Sequence, residues 1–212
     1  MENPRATPRD FSLEYVRGLK AVLDSLPLDD VETIIQHLSD AHQHGKQVFV
    51  VGNGGSAATA SHMACDLGKT VLGKAIGMPA KRFKVIALTD NVPLITAWGN
   101  DVSYDTVFAE QLRNLANPGD VLIVITGSGN SPNIVQAVRA ARELRVTSIG
   151  LLGFDGGSVR AQLDHYVIIA SHSYGYVEDA HMVLNHLITA YFKECHEDPQ
   201  LRLHTRAGAA AR

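Results

Sequence analysis

Cysteine is scarce in this sequence. Its 212 residues include only Cys65 and Cys195, too few for the disulfide framework of a small secreted domain. The first thirty residues carry the acids Glu2, Asp10 and Glu14 and no continuous apolar segment before a small-residue cleavage site, so a secretory signal is not predicted. We therefore expect a cytoplasmic protein whose thiols stay reduced.

Long apolar runs and an excess of positive charge are missing as well. Segments such as residues 121–125 are far shorter than the roughly 20 residues of a membrane-spanning helix, so no membrane association is expected. Nineteen Lys and Arg residues face 22 Asp and Glu residues, for a net charge of −3. This balance provides no general attraction to a phosphate backbone, and nucleic-acid binding is not expected.

The composition that is present suits one globular domain. Hydrophobic residues make up 45% of the chain and charged residues 19%, unlike the composition of a disordered protein. Residues 1–9 and 197–212 are polar or rich in small residues, and we predict that they are flexible tails. The single domain is therefore expected to span residues 10–196.

Two patterns of apolar residues alternate along this domain. Helical spacing from Phe11 to Leu23 and from Val31 to Leu38 predicts two helices before the first strand. Short apolar segments then predict strands, each followed by glycine or small polar residues and a helical stretch. The predicted strands are residues 48–51, 83–88, 121–125, 147–152 and 165–169, and the later helices are 57–67, 104–116, 131–144 and 176–195.

Strands of this kind are typical of a parallel sheet that helices cover on both faces. The sequence therefore predicts an α/β fold with a doubly wound five-stranded parallel sheet and an N-terminal helical extension. In such a sheet, ligands bind outside the carboxyl ends of the strands, at the point where the strand order reverses. The segments after the strands are therefore the first place to look for a site.

Two glycine-rich loops follow the first and third predicted strands. Residues 52–58 contain three glycines and Ser56, and residues 126–131 contain three hydroxyls, an amide and two glycines. Glycine allows close approach of a ligand to the backbone, and the helix that follows offers unpaired N–H groups to an anion. One such loop is equally well explained as a tight turn, but two favour a phosphorylated ligand. Neither loop has the pattern of a nucleotide-binding motif, so no nucleotide cofactor is expected and a phosphosugar fits better.

These loops, with residues 99–101 between them, resemble those of the sugar isomerase (SIS) family over roughly residues 10–195, and within it the isomerases of sedoheptulose 7-phosphate. The resemblance implies a flavodoxin-like SIS fold and a homotetramer with its site near subunit contacts. It also implies a phosphate held by Ser56, Thr126, Ser128 and Ser131. The full expected substrate-binding set is Asn53, Gly54, Gly55, Ser56, Asn100, Asp101, Thr126, Gly127, Ser128, Asn130 and Ser131. For Asn53, Asn100 and Asp101, turn capping is an equally good explanation.

Two pairs of polar residues on predicted helices are candidates for metal binding or proton transfer. His62 and Asp66 are four residues apart and project from one helix face. Alone, they fit a packed histidine and a solvated carboxylate better. Glu178 and His186, two turns apart in the last helix, change that balance because imidazole and carboxylate groups suit zinc. For His181, on another face of that helix, a structural role is preferred.

The resemblance assigns these residues roles. It implies one zinc ion per subunit held by His62, Asp66, Glu178 and His186, although the family has Glu at the position of Asp66 and Gln at that of Glu178. We expect Asp66 to be the catalytic base, Glu178 to be the alternative base, and His186 to serve as the acid. A carboxylate that also binds the metal would be a weaker base, and the choice between the two stays open.

The function that follows is that of an aldose-ketose isomerase. The expected reaction converts sedoheptulose 7-phosphate to D-glycero-D-manno-heptose 7-phosphate through an enediolate. Two alternatives remain at the level of sequence. One is an isomerase of another phosphosugar, and the other is a non-catalytic SIS protein that resembles the tetrameric adaptor of the bacterial replication initiator.

Overall fold

An all-parallel sheet forms the middle layer of the structure, a computed structural model that describes residues 7–197. Its strand order is β2-β1-β3-β4-β5. All five predicted strands are confirmed, with bounds that differ by at most one residue. The strands are β1 (Gln47–Gly52), β2 (Lys84–Ala87), β3 (Val121–Thr126), β4 (Thr147–Gly153) and β5 (His165–Ile169).

Seven α-helices surround the sheet in the described part of the chain. They are α1 (Pro8–Asp24), α2 (Leu28–His44), α3 (Gly55–Gly68), α4 (Val92–Asp101), α5 (Val107–Leu115), α6 (Pro132–Leu144) and α7 (Tyr174–Glu197). Three 3-10 helices cover Thr70–Ala75, Tyr104–Thr106 and Gly157–Gln162. None of the described helices is long and apolar enough to cross a membrane.

The structure changes the expected helix bounds in three places. Helix α4 was not predicted, because none of its residues is fully buried and its contact with the core is made by two partly buried side chains, Ile95 and Trp98, too few for a clear helical stripe in the sequence. The predicted helix 104–116 begins as a 3-10 turn and becomes α-helical at Val107. Helix α1 begins at Pro8, where Thr7 and Asp10 form a capping box, so residues 7–9 are not a tail. The rest of the predicted tails, apart from residue 197 in α7, lies outside the described residues.

The sheet is buried on both faces, as continuous apolar strands require. Alternate residues of β1 belong to two separate core clusters: Val48 and Val50 pack on the side of α2, α3 and α7, while Phe49 and Val51 pack on the side of α5 and α6. Burial of each such side chain contributes about 1.5–3 kcal/mol. The central strands are thus anchored from both sides, which holds the loops at their carboxyl ends in place.

Candidate active site

The two glycine-rich loops lie side by side at the switch point of the sheet. Strands β1 and β3 pair directly, with Gly52 opposite Ile125, so the loops after them meet at one edge. Helix α3 follows Gly54 and helix α6 follows Ser131, and neither helix has a side-chain cap. The N–H groups of Gly55 and Ser56 on α3 and of Asn133 on α6, together with the positive ends of the two helix dipoles, favour a bound anion.

The second loop is held in shape by close backbone packing. Gly129 has a φ of 65°, and a Cβ atom there would lie 1.9 Å from the carbonyl oxygen of Gly156. The Gly129 N–H donates to Oγ1 of Thr126 over 3.1 Å. The glycine is therefore required by sterics as well as by backbone conformation, and Thr126 is oriented within the loop.

Asn130 has a structural task in this loop. Its Oδ1 accepts a hydrogen bond from the Ser158 N–H at 2.9 Å, and its Nδ2 donates to the Ser128 carbonyl at 3.0 Å. Both ends of the amide are therefore engaged by the protein. These bonds stabilise the loop, and contact of Asn130 with substrate stays a prediction.

Asn53, in the first loop, is joined to the helix that follows the second. Its side chain and that of Asn133 exchange two hydrogen bonds of 2.9 Å each. The Tyr104 hydroxyl also donates to Oδ1 of Asn53, over 3.2 Å. Asn133 is buried and was not singled out in the sequence, where nothing distinguishes it from any helix-start asparagine. This amide pair sets the spacing of the two loops.

Asn100 and Asp101 do not cap a turn. They are the last two residues of α4, both exposed, and Nδ2 of Asn100 donates to Oδ1 of Asp101 at 2.7 Å. Within the described residues, no hydrogen bond joins them to either loop. Contact with a sugar hydroxyl stays a prediction for these two residues.

Three of the four proposed metal ligands come together on the neighbouring helices α3 and α7. Nε2 of His62 lies 3.3 Å from Oδ2 of Asp66 and 3.4 Å from Nε2 of His186. One donor atom from each residue falls within 4.8 Å of the others. Asp66 is 7% exposed, whereas both histidines are exposed.

This group fits a zinc ion. Two ligands bound about 2.0–2.1 Å from a tetrahedral zinc stand about 3.3 Å apart, which matches both observed separations. Two imidazoles and one carboxylate are ligands that zinc accepts, and three protein ligands with an open fourth position are usual for a catalytic site.

Glu178 does not join this group. It lies on α7 two turns before His186, about 12 Å away along the helix axis. Its carboxylate lies over Gly55. A Cβ atom on Gly55 would be 2.8 Å from either carboxylate oxygen. Glu178 therefore stands at the uncapped N-terminus of α3, where the helix dipole favours its negative charge.

Two further polar residues of α7 point into the core. His181 is fully buried, neither ring nitrogen makes a hydrogen bond of normal geometry, and burial lowers its pKa to about 4 although the Leu152 backbone opposes the change. It is neutral and structural, in line with the prediction. Asn185 is also fully buried and donates through Nδ2 to Oδ2 of Asp66 at 3.0 Å.

The group of His62, Asp66 and His186 is open to solvent on its outer side, where both histidines are exposed. A cavity of about 510 Å³ lies elsewhere, between α2 and the end of α7, and shares no residue with the predicted site; its lining includes Ser39, His42, Gln43, Tyr191, Phe192 and His196. The exposure of His62 and His186 leaves room for a further wall around a ligand on this side.

The sheet order and the two uncapped helix termini at its switch point place the chain among the doubly wound α/β proteins, in which ligands bind at this edge. The SIS domain family matches residues 14–153. The chain therefore belongs to the SIS family, and the resemblance seen in its sequence is confirmed.

Several phosphoheptose isomerases are similar to this chain. The phosphoheptose isomerase of Clostridium acetobutylicum is 36% identical over 169 residues, which cover 80% of this chain and 84% of the relative. That of Trichlorobacter lovleyi is 39% identical over 158 residues, 74% of this chain and 78% of the relative. The solved phosphoheptose isomerase of Francisella tularensis superposes with a TM-score of 0.81 at 28% identity, over 89% of this chain and all of that one.

Proposed function

We propose that this protein is an aldose-ketose isomerase that converts sedoheptulose 7-phosphate to D-glycero-D-manno-heptose 7-phosphate. The observation that carries the proposal is the convergence of His62, Asp66 and His186 between helices α3 and α7, of which α3 begins directly after a glycine-rich loop. The identity of 36–39% to phosphoheptose isomerases supports the choice of substrate.

The reaction moves one proton between neighbouring carbons. Asp66 takes a proton from C1 of the ketose, which leaves an enediolate, and returns it at C2 to form the aldose. His186 moves the proton between the oxygens on these carbons, so that the charge on the enediolate oxygen is neutralised as it develops. Asp66 rather than Glu178 is the proposed base because only Asp66 lies within reach of both histidines.

The phosphate is proposed to bind mainly in the second loop. Because the Glu178 carboxylate already lies over the start of α3, a second anion there would meet a like charge. Thr126, Ser128 and Ser131, with the Asn133 N–H in the first turn of α6, then hold the phosphate. Ser56 borders it from the first loop, and Glu178 is left to accept a sugar hydroxyl.

A zinc ion held by His62, Asp66 and His186 would polarise the substrate oxygens as a Lewis acid. The fit of the two ligand separations to a tetrahedral ion supports this part of the proposal. Glu178 as a fourth ligand would require its side chain to leave Gly55.

The functional unit is proposed to be a homotetramer in the cytoplasm. Helices α1 and α4 bury none of their residues in the single chain, although Phe11 and Val16 on α1 and Val92 on α4 are apolar and more than 60% exposed. Contacts between subunits would cover these faces and close the open side of the site. The low cysteine content supports a cytoplasmic location, where thiols stay reduced.

The test is turnover of sedoheptulose 7-phosphate, followed by NMR detection of the aldose. Metal-stripped protein is assayed with and without added zinc, beside His186→Ala and, as a matched control, His44→Ala, which removes an exposed histidine of α2. The expected result is product that depends on zinc and on His186 but not on His44.

Each other outcome removes a defined part of the proposal. Product formed equally well without metal would remove the zinc ion and keep the isomerase. Binding of the phosphosugar without any product would contradict the reaction and favour another substrate or a non-catalytic role.

A further inference from the structure

Asn185 links the core of α7 to the carboxylate of Asp66. The residue is fully buried and donates through Nδ2 to Oδ2 of Asp66 over 3.0 Å, across 119 positions of sequence. It lies next to His186 but on another face of the helix, so it does not belong to the His62–Asp66–His186 group itself. Its contact with that group is made through Asp66 alone.

The orientation of this amide is determined by its partner. An ionised carboxylate only accepts hydrogen bonds, so the NH2 end of Asn185 must face Asp66. Its Oδ1 is then turned into the core, where it has no hydrogen-bond partner among residues 7–197. A buried carbonyl oxygen without a hydrogen-bond partner lowers the stability of the fold. Stability alone therefore does not explain a buried asparagine here, whereas its hydrogen bond to the Asp66 carboxylate does.

Both contacts of Asp66 fall on the same oxygen. Nδ2 of Asn185 and Nε2 of His62 approach Oδ2, at 3.0 and 3.3 Å. A carboxylate held on one oxygen cannot rotate freely, so the other oxygen, Oδ1, keeps a defined direction. A base that meets a carbon-bound proton needs such a direction, because small errors in position reduce the rate strongly.

We propose that Asn185 is a positioning residue that fixes the Asp66 carboxylate through Oδ2 and reserves Oδ1 for the substrate proton. The role of Oδ1 rests on the proposed isomerase function, while the orientation of the carboxylate does not. Asn185 touches no substrate and acts only through Asp66.

The test compares Asn185→Leu with Thr189→Val. Thr189 lies one turn further along α7 and is also buried with an unpartnered hydroxyl, so its variant removes a polar atom from the same helix face without touching Asp66.

For Asn185→Leu we expect kcat to fall about 10–100-fold, as for other residues that orient a catalytic group. KM should stay within about threefold of the wild-type value, since the phosphate loops are unchanged. Thr189→Val should keep both constants. If Asn185→Leu fails to fold, Asn185→Ala removes the same donor from a smaller side chain.

Crystal structures of the two variants decide the orientation directly. A rotated or disordered Asp66 carboxylate in Asn185→Leu, with the wild-type orientation in Thr189→Val, is the expected result. An unchanged carboxylate, or an unchanged kcat in a folded variant, would overturn the proposal. If the wild-type protein converts no phosphosugar, the proposed function fails, but the carboxylate orientation still decides the role of Asn185.

Discussion

The Asp66 carboxylate is shared between two helices. It is nearly buried on α3, accepts from Asn185 of α7 and faces His62 one turn earlier. Its negative charge is tolerated there because polar donors surround it. A residue that is costly to bury and so well oriented is a strong candidate for the base of a proton transfer.

Replacement of the Asp66 carboxylate by an amide tests its role as catalytic base and hardly changes the shape of the side chain. Asp66→Asn keeps the size of the side chain but cannot take up a proton, so we expect kcat to fall by about 10²–10⁴. Glu178→Gln is the parallel change on α7. Steady-state kinetics should show the large loss in kcat for Asp66→Asn only. The reverse pattern would make Glu178 the base.

His181 should make folding stability depend on pH. Its pKa is lowered to about 4 by burial, so the unfolded chain binds its proton more readily between pH 6.5 and 4, and stability contributed by the neutral ring is lost as the pH falls through this range. At pH 5 the loss relative to pH 7.5 is about 2 kcal/mol.

Urea unfolding of wild type and His181→Leu at both pH values, at one protein concentration, measures this effect. The wild-type protein should lose about 2 kcal/mol more than the variant on going to pH 5. Equal losses in the two proteins would mean that His181 titrates normally in the folded state.

At the scale of elements, the second loop is supported by the segment after β4. Gly129 packs against the backbone of Gly156, and Gly157 in turn would meet the Ser128 carbonyl if it carried a Cβ atom, at 2.3 Å. This contact between backbones leaves no room for adjustment. The loop shape needed for phosphate is therefore built into the packing of two strand ends.

Gly129→Ala should disrupt this support. Gly77→Ala is the matched control, because Gly77 also has a positive φ but a Cβ atom there would have nothing within 4 Å. Both substitutions place alanine at a positive φ, and only Gly129→Ala also brings a Cβ atom against the Gly156 carbonyl. Gly129→Ala should therefore lower the free energy of unfolding by about 1–3 kcal/mol more than Gly77→Ala. It should also raise KM for the phosphosugar, because the loop that holds the phosphate is displaced. Equal costs in the urea unfolding of both variants would show that the loop can relax.

At the scale of the whole molecule, one chain does not cover all of its apolar surface. Helices α1 and α4 have no buried residue, and α1 is attached mainly along α7, where Tyr15 donates to Asp179 over 2.8 Å. The outer face of α1 exposes Phe11, Leu13 and Val16. Apolar surface of this kind is expected where subunits meet.

A charge on that face should separate the subunits. Phe11 is 66% exposed, so Phe11→Glu loses little inside one chain but would bury a charge in the assembly, which is strongly unfavourable. Gln43→Glu adds the same charge to an exposed position of α2, outside the apolar faces of α1 and α4. Light scattering after size-exclusion chromatography should show a tetramer for wild type and Gln43→Glu, and smaller species with reduced turnover for Phe11→Glu. A wild-type monomer, or a Phe11→Glu tetramer, would contradict the proposed assembly.

Much of the fold could be predicted from the sequence because its signals are local. Continuous apolar strands, helical spacing and the two glycine-rich loops each act over a few residues, and strand alternation with helices is enough to indicate a doubly wound parallel sheet. The pairing of His62 with Asp66 was predictable for the same reason, since four residues make one helical turn. Helix α4 could not be predicted from a buried stripe, because none of its residues is fully buried and the two that pack against the core, Ile95 and Trp98, are too few to show helical spacing.

The sequence by itself determined the α/β class, the order of the five strands along the chain, the two glycine-rich loops and the residue types of the candidate site. Only the tertiary structure decided which of those residues meet: it brought His186 to His62 across 124 positions and Asn185 to Asp66 across 119, and it left Glu178 at Gly55. Spacing along one helix defines a face, but the packing of two helices decides which turns of that face are opposite each other.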